Sequence, residues 1–210
     1  MALRFSEICV DAADIHTLGR WWSQVLGWPA EDTEDGDVVL RAPGGAGPDL
    51  LFVVVPEGKT VKNRIHFDVH VDAVEPLLEL GARVLAEYLP ERATLADPEG
   101  NEFCAFLNPT SRPRAQVFAV CIDSARPEEL ARWWAGELGA RVEPGPDGTP
   151  RWLYGPAGSA ELIWKFVRVD DRRVGPNRWQ WRVRGGPMNE VAGGPGGVCR
   201  DPQGNEFVFV

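Results

Sequence analysis

KNRIHFDVHVDAVEPLLELGARVLAEYLPERATLADPEGNEFCAF, residues 62–106, decides how the chain is read. Its first part alternates: Ile65, Phe67, Val69 and Val71 point one way, and His66, Asp68, His70 and Asp72 the other. That is the period-two pattern of a strand with one apolar face. Two of the three histidines of the chain stand on its polar face, which is either open to water or the wall of a cavity. The two ends of the stretch, Asn63-Arg64 and Asp97-Pro98-x-Gly100-Asn101-Glu102-Phe103, return as Asn177-Arg178 and Asp201-Pro202-x-Gly204-Asn205-Glu206-Phe207. A return at that distance points to a duplicated domain.

Outward from this stretch the duplication extends to both ends of the chain. Residues 3–10 read as a strand, followed by DAADIHTLGRWWSQVLGW, in which Ile15, Leu18, Trp22 and Val25 share a helical face. Asp11 or Asp14 can cap the start of this helix, and Gly27 stops it. The same pattern recurs at a constant offset of 112: Asp11 with Asp123, Arg20-Trp21-Trp22 with Arg132-Trp133-Trp134, Leu26-Gly27 with Leu138-Gly139. Short strands follow each helix, over residues 37–41 and 50–55 in the first copy and 152–154 and 162–169 in the second. A second helix is expected at 74–80, ended by Gly81, and a shortened counterpart at 187–191. The spacing from Asn-Arg to Asp-Pro drops from 34 in the first copy to 24 in the second, so the copies are similar without being equivalent. The predicted division is residues 1–108, a linker at 109–115 containing two prolines, and residues 116–210.

Composition bounds the function. The 210 residues are 44% hydrophobic and 25% charged, as in a soluble globular protein, and a formal net charge of −9 opposes nucleic acid or an anionic membrane as partner. The arginines at 168, 172, 173, 178, 182 and 184 read as a solvated face offset by nearby acids. No apolar run approaches a membrane span and the first residues lack the apolar region of a secretory signal, so a cytoplasmic location is expected. Cys9, Cys104, Cys121 and Cys199 have no CxxC spacing and are expected to be free thiols. Cys9 and Cys121 hold equivalent places in the two copies, which suits packing in a strand.

Four elements together resemble the glyoxalase/bleomycin-resistance/extradiol-dioxygenase superfamily, the vicinal oxygen chelate fold. They are the Asp-x-x-(Phe/Trp)-x-x-x-Leu-Gly helix, the Asn-Arg-x-His strand, the Leu-Gly-Ala-Arg-Val turn and Asp-Pro-x-Gly-Asn-Glu-Phe. The resemblance covers nearly the whole chain. It implies an α+β fold with two tandem domains, each of paired βαβββ units whose curved mixed sheet surrounds a pocket. It further implies a pseudo-dimer within the chain, which is itself a monomer or a homodimer.

Metal enzymes of this superfamily hold a divalent ion with His, Glu or Gln side chains. Carried over by motif, the three ligand positions are Glu7, His66 and Cys104, the last standing where the metal enzymes have Glu. Asp68 or His70 could substitute as ligands. The second copy has Ala119, Gln180 and Val208 at these places, so chemistry is expected in the first. Carboxylate, imidazole and thiolate would suit zinc or iron, with manganese and nickel the other divalent ions expected for such a site, whereas a metal-free polar pocket is the other reading. Trp28, Trp152 and Trp164 are candidates to stack on a ligand, joined by Asp68, His70, Gln180 and Arg182, while Trp22, Trp134, Trp179 and Trp181 read as core.

Two functions follow for a small-molecule ligand. One is a glyoxalase-like enzyme of the lyase or isomerase type, metal-assisted or not, with Glu7 or His66 moving a proton. The other is a metal-free binder that sequesters an aromatic molecule, as bleomycin-resistance relatives do.

Overall fold

The structure is a computed structural model that describes residues 3–45, 48–88, 90–109, 114–155, 162–185 and 197–210. The chain runs through four successive units of related order. The first is β1 (Arg4–Ala12), α1 (Ile15–Leu26), β2 (Ala30–Asp32), β3 (Val38–Leu40) and β4 (Asp49–Val54). The second is β5 (Ile65–Val71), α2 (Glu75–Glu79), β6 (Arg83–Tyr88), β7 (Arg92–Ala96) and β8 (Glu102–Leu107). The third is β9 (Gln116–Ser124), α3 (Pro127–Leu138), β10 (Arg141–Pro144), β11 (Pro150–Tyr154) and β12 (Ile163–Arg168). In the fourth, β13 (Trp179–Arg184), β14 (Val198–Arg200) and β15 (Glu206–Phe209) are described. The helix expected at 187–191 and most of the linker lie outside the described residues.

The start and stop of α1 follow its sequence. The Asp14 carboxylate accepts from the Thr17 amide at 2.9 Å, satisfying a donor that the first turn leaves without a partner. Gly27 at φ 70° closes the other end, its N–H bonding the Ser23 carbonyl at 2.8 Å. A Cβ at Gly27 would also stand 3.1 Å from Cγ of Arg114. Gly27→Ala is therefore expected to cost about 1–2 kcal/mol, read as a lower urea midpoint at unchanged slope.

The strands form two mixed sheets. One has seven strands in the order β14-β15-β13-β1-β4-β3-β2, the other eight in the order β10-β11-β12-β9-β5-β8-β7-β6. Each sheet thus joins a unit from each half of the sequence, so strand pairing divides the chain differently from the expected split at residues 109–115. The reason is edge satisfaction. Within its own unit β1 pairs only β4, in parallel, and β5 pairs only β8, which leaves one row of backbone donors and acceptors open on each. Antiparallel pairing of β1 with β13 and of β5 with β9 closes both rows.

The core is built from aromatic rings on the inner faces. Trp22 of α1 meets Phe67, Phe103 and Trp179 with ring centroids 6.0, 5.3 and 5.7 Å away. Trp134 of α3 meets Trp164, Trp181 and Phe207 at 5.4, 5.3 and 5.2 Å. Edge-to-face geometry prevails in both clusters, as ring quadrupoles favour.

The repeated motifs hold this core to the turns. Asp97 accepts from the amides of Glu99 (3.0 Å) and Asn101 (2.8 Å) and from Nε1 of Trp22 (3.1 Å). Asp201 does the same with Gln203 (2.9 Å), Asn205 (3.0 Å) and Trp134 (3.3 Å). Asn63 and Asn177 donate to the Asn101 and Asn205 side chains at 3.0 and 3.1 Å, which is why Asn-Arg and Asp-Pro-x-Gly-Asn return together. In the arginine cluster Arg168, Arg173, Arg178 and Arg182 are each within ion-pair distance of an acid: Glu128, Glu206, Glu99 and Glu7.

Candidate functional site

The alternation of β5 sends Ile65, Phe67 and Val69 into the core and leaves His66 and Asp68 on the opposite face of the eight-stranded sheet. Register then decides their neighbours. His66 lies opposite Cys121 and Asp68 opposite Ala119 on β9, while Asp68 is level with Cys104 on β8 and Cys104 with Thr94 on β7. On the other side Cys121 is level with Lys165 on β12, and Lys165 with Trp152 on β11. Six strands from both halves of the sequence therefore bring one row of side chains to one face.

These side chains touch. Nε2 of His66 is 3.6 Å from Oδ1 of Asp68 and 3.6 Å from Sγ of Cys104, and the Thr94 hydroxyl is 3.7 Å from the same sulfur. Nζ of Lys165 donates to Oδ2 of Asp68 at 3.0 Å. Asp68 is 3% exposed, and His66 and Lys165 9% each, so the ion pair is largely desolvated. Nδ1 of His66 is buried with no hydrogen-bond partner among the described residues. Aromatic rings surround the ammonium: Phe118, Phe106 and Trp152 have centroids 4.2, 5.1 and 5.1 Å from Nζ. His70 stacks on Phe118 at 3.9 Å, and Arg92 lies over Tyr88 at 4.4 Å.

Burial sets the protonation states. It lowers the His66 pKa, against the pull of the Asp68 carboxylate, so the ring is neutral at neutral pH. Burial, with Asp68 adding to it, pushes the Cys104 thiol up to about 11, and the Cys121 thiol is raised well above its usual value for the same reasons. Both stay protonated. The face therefore presents a neutral imidazole and two thiols beside a carboxylate–ammonium pair.

Three expected positions are not brought together. Glu7 lies on β1 in the seven-stranded sheet, where its carboxylate bonds Arg182 at 2.9 Å, because β1 pairs β13 and not β5. The trio Glu7, His66 and Cys104 is thus divided between sheets. Gln180 and Arg182 share the sheet of Glu7, with the Gln180 amide donating to the Asn177 carbonyl at 3.0 Å. There Cys9 stands opposite Gln180, pushed up to about 12 by burial first and by Asp11 next. Trp164, fully buried, packs on Trp134 and Trp181, and Trp28 is 5% exposed, so both belong to the core. Trp152 is on the site face, and His70 stands at its Phe118 end.

Lys165 and the flanking Cys121 thiol were not legible as site residues. A signal for Lys165 was present: in IWKFV a lone charge between Trp164 and Phe166 must face away from the core those rings fill. What the local pattern cannot supply is the partner, since Asp68 is 97 residues away in sequence.

The ligand atoms of His66, Asp68 and Cys104 lie within 4.8 Å of one another and so form a group that could hold a metal ion. As arranged, the group does not suit a divalent cation. Asp68 already carries the Lys165 ammonium, and a second cation at the same carboxylate would meet the first at close range.

Two sheets, each uniting the first strands of two units of related order, with the described helices on one face and polar groups on the other, form an α+β fold. The sequence model of the Glyoxalase-like domain family matches residues 7–106 and again 119–210, and the chain belongs to that family. Glyoxalase I from Zea mays superposes over 100% of this chain and 92% of its own, with 14% identity and a TM-score of 0.65. A mutant of the same maize enzyme gives 15% and 0.67 over 94% of its chain, and a candidate dioxygenase from Bacillus subtilis gives 13% and 0.55, covering 86% of this chain and 70% of its own. At such identities the likeness is one of fold. No curated protein sequence matches the chain. Among the described residues no helix is long and apolar enough to cross a membrane.

Proposed function

We propose that the chain is a glyoxalase-like small-molecule enzyme of the lyase or isomerase type, acting from the face of the eight-stranded sheet that carries His66, Asp68, Cys104 and Lys165. The observation that carries this reading is a neutral, buried imidazole with one uncommitted nitrogen beside a desolvated carboxylate–ammonium pair. Such a ring suits the removal and return of a proton at a carbon next to a carbonyl group. Asp68, 3.6 Å from Nε2, orients the ring and favours the tautomer that leaves Nδ1 as acceptor. Phe106, Phe118 and Trp152 supply apolar walls, and Glu7 has no part in the step. A sequestering protein with the same face would bind such molecules without moving their protons.

The test is solvent deuterium incorporation next to the carbonyl of 2-oxo acids, with pyruvate and phenylpyruvate as probes, followed by proton NMR. Wild-type protein is expected to accelerate the exchange, and His66→Ala to slow it by roughly 10²–10⁴-fold. Binding of either probe with no exchange above the buffer rate would support the sequestering function instead.

A further inference from the structure

Lys165 sits where the fold brings its site groups together, and it is a cation supplied by the chain itself. It reaches past Cys121 from the second half of the sequence to bond Asp68 in the first, at 3.0 Å. Three aromatic rings have their centroids 4.2–5.1 Å from the ammonium. Of the three groups that could hold a metal ion, His66, Asp68 and Cys104, the carboxylate is therefore already bonded to a positive charge. The seven-stranded sheet has its own partly buried pair, Glu7 with Arg182, so both faces carry charge compensation within the chain.

We propose that the Lys165 ammonium takes the place of a divalent metal in this site, and that it is the charge met by an anionic oxygen, carboxylate or enolate, of the bound small molecule. In this role the residue both blocks metal uptake, by occupying Asp68, and supplies the positive charge that steadies an oxyanion. An ammonium has three donors, of which Asp68 takes one, so an incoming oxygen can be bonded without breaking the pair. The ligand class rests on the function proposed above, whereas the metal-blocking role does not.

Cobalt(II) titration of the full chain at neutral pH, followed by visible absorption and calorimetry, reads the metal-blocking role without any substrate. Wild type and Lys165→Arg are expected to bind no equivalent at the cluster. Lys165→Met should bind one equivalent at least roughly 100-fold more tightly, because a unit positive charge beside the ion is gone. Its spectrum should show a thiolate-to-cobalt band that a further Cys104→Ala removes. Since Lys165→Met leaves a buried carboxylate without a partner, Lys165→Gln, whose amide can still donate to Asp68, is titrated beside it with the same gain expected. One equivalent bound by wild type with the thiolate band would overturn the proposal, as would folded Lys165→Met or Lys165→Gln that gains no cobalt. Failure of wild type to exchange phenylpyruvate protons would count against the proposed function and leave this titration unaffected.

Discussion

Asp97→Ala is expected to lower the thermal unfolding midpoint by roughly 10 °C at pH 5, equivalent to about 4 kcal/mol for a chain of this size. The carboxylate accepts from two backbone amides, the Asn101 side chain and Nε1 of Trp22, and alanine leaves all of these buried donors without an acceptor. The penalty depends on pH in a definite direction. Burial pushes the Asp97 pKa up to about 6 from an ordinary value of 3.8, against the hydrogen bonds that lower it. The folded state thus holds this proton more tightly than the unfolded chain. The resulting stabilisation is fully present below pH 3.8 and is lost as pH rises through 6, a change of about 3 kcal/mol for two units. The cost of Asp97→Ala should accordingly be larger at pH 5 than at pH 7.5 in parallel urea titrations. A cost that grows with pH would mean that the donors outweigh burial and keep the group ionised.

Removing either member of the Asp68–Lys165 pair should cost about 3–5 kcal/mol, and removing both much less. The side chains are 5% and 11% exposed, so Asp68→Asn or Lys165→Met alone leaves a desolvated charge uncompensated. In the double variant neither charge remains, and the difference between the summed single costs and the double cost gives the coupling. Because Asp68 is on β5 and Lys165 on β12, separated by β9, that coupling also reports that the two halves of the sequence share one sheet. Additive costs would show that the pair is not formed in solution.

Local features of the fold were legible. Asp14 and Gly27 bound α1 as their types suggest, Ile15, Leu18, Trp22 and Val25 are all buried, and the alternation of β5 correctly separates Phe67 from His66 and Asp68. Pairing was not legible in the same way. Alternation fixes which face a side chain takes but carries no information about which strand lies beside it, and β1 meets β13 through register alone. That is why Glu7, placed by motif position, falls in the other sheet, and why the pairing of Lys165 with Asp68 has no signature in either local pattern. The tryptophans divide on the same ground. Trp164 alternates with Lys165 and so had to be buried once the lysine faced the site, whereas Trp28, also buried, lies in the loop after Gly27, where no periodicity applies.

The most direct measurement compares His66→Ala with Gln180→Ala, equivalent positions in the two sheets, in the phenylpyruvate deuterium-exchange assay. Both should fold with wild-type-like midpoints, His66→Ala should lose exchange by roughly 10²-fold or more, and Gln180→Ala should keep it. Equal loss from both substitutions, or full exchange in His66→Ala, would contradict a single working site on the eight-stranded sheet.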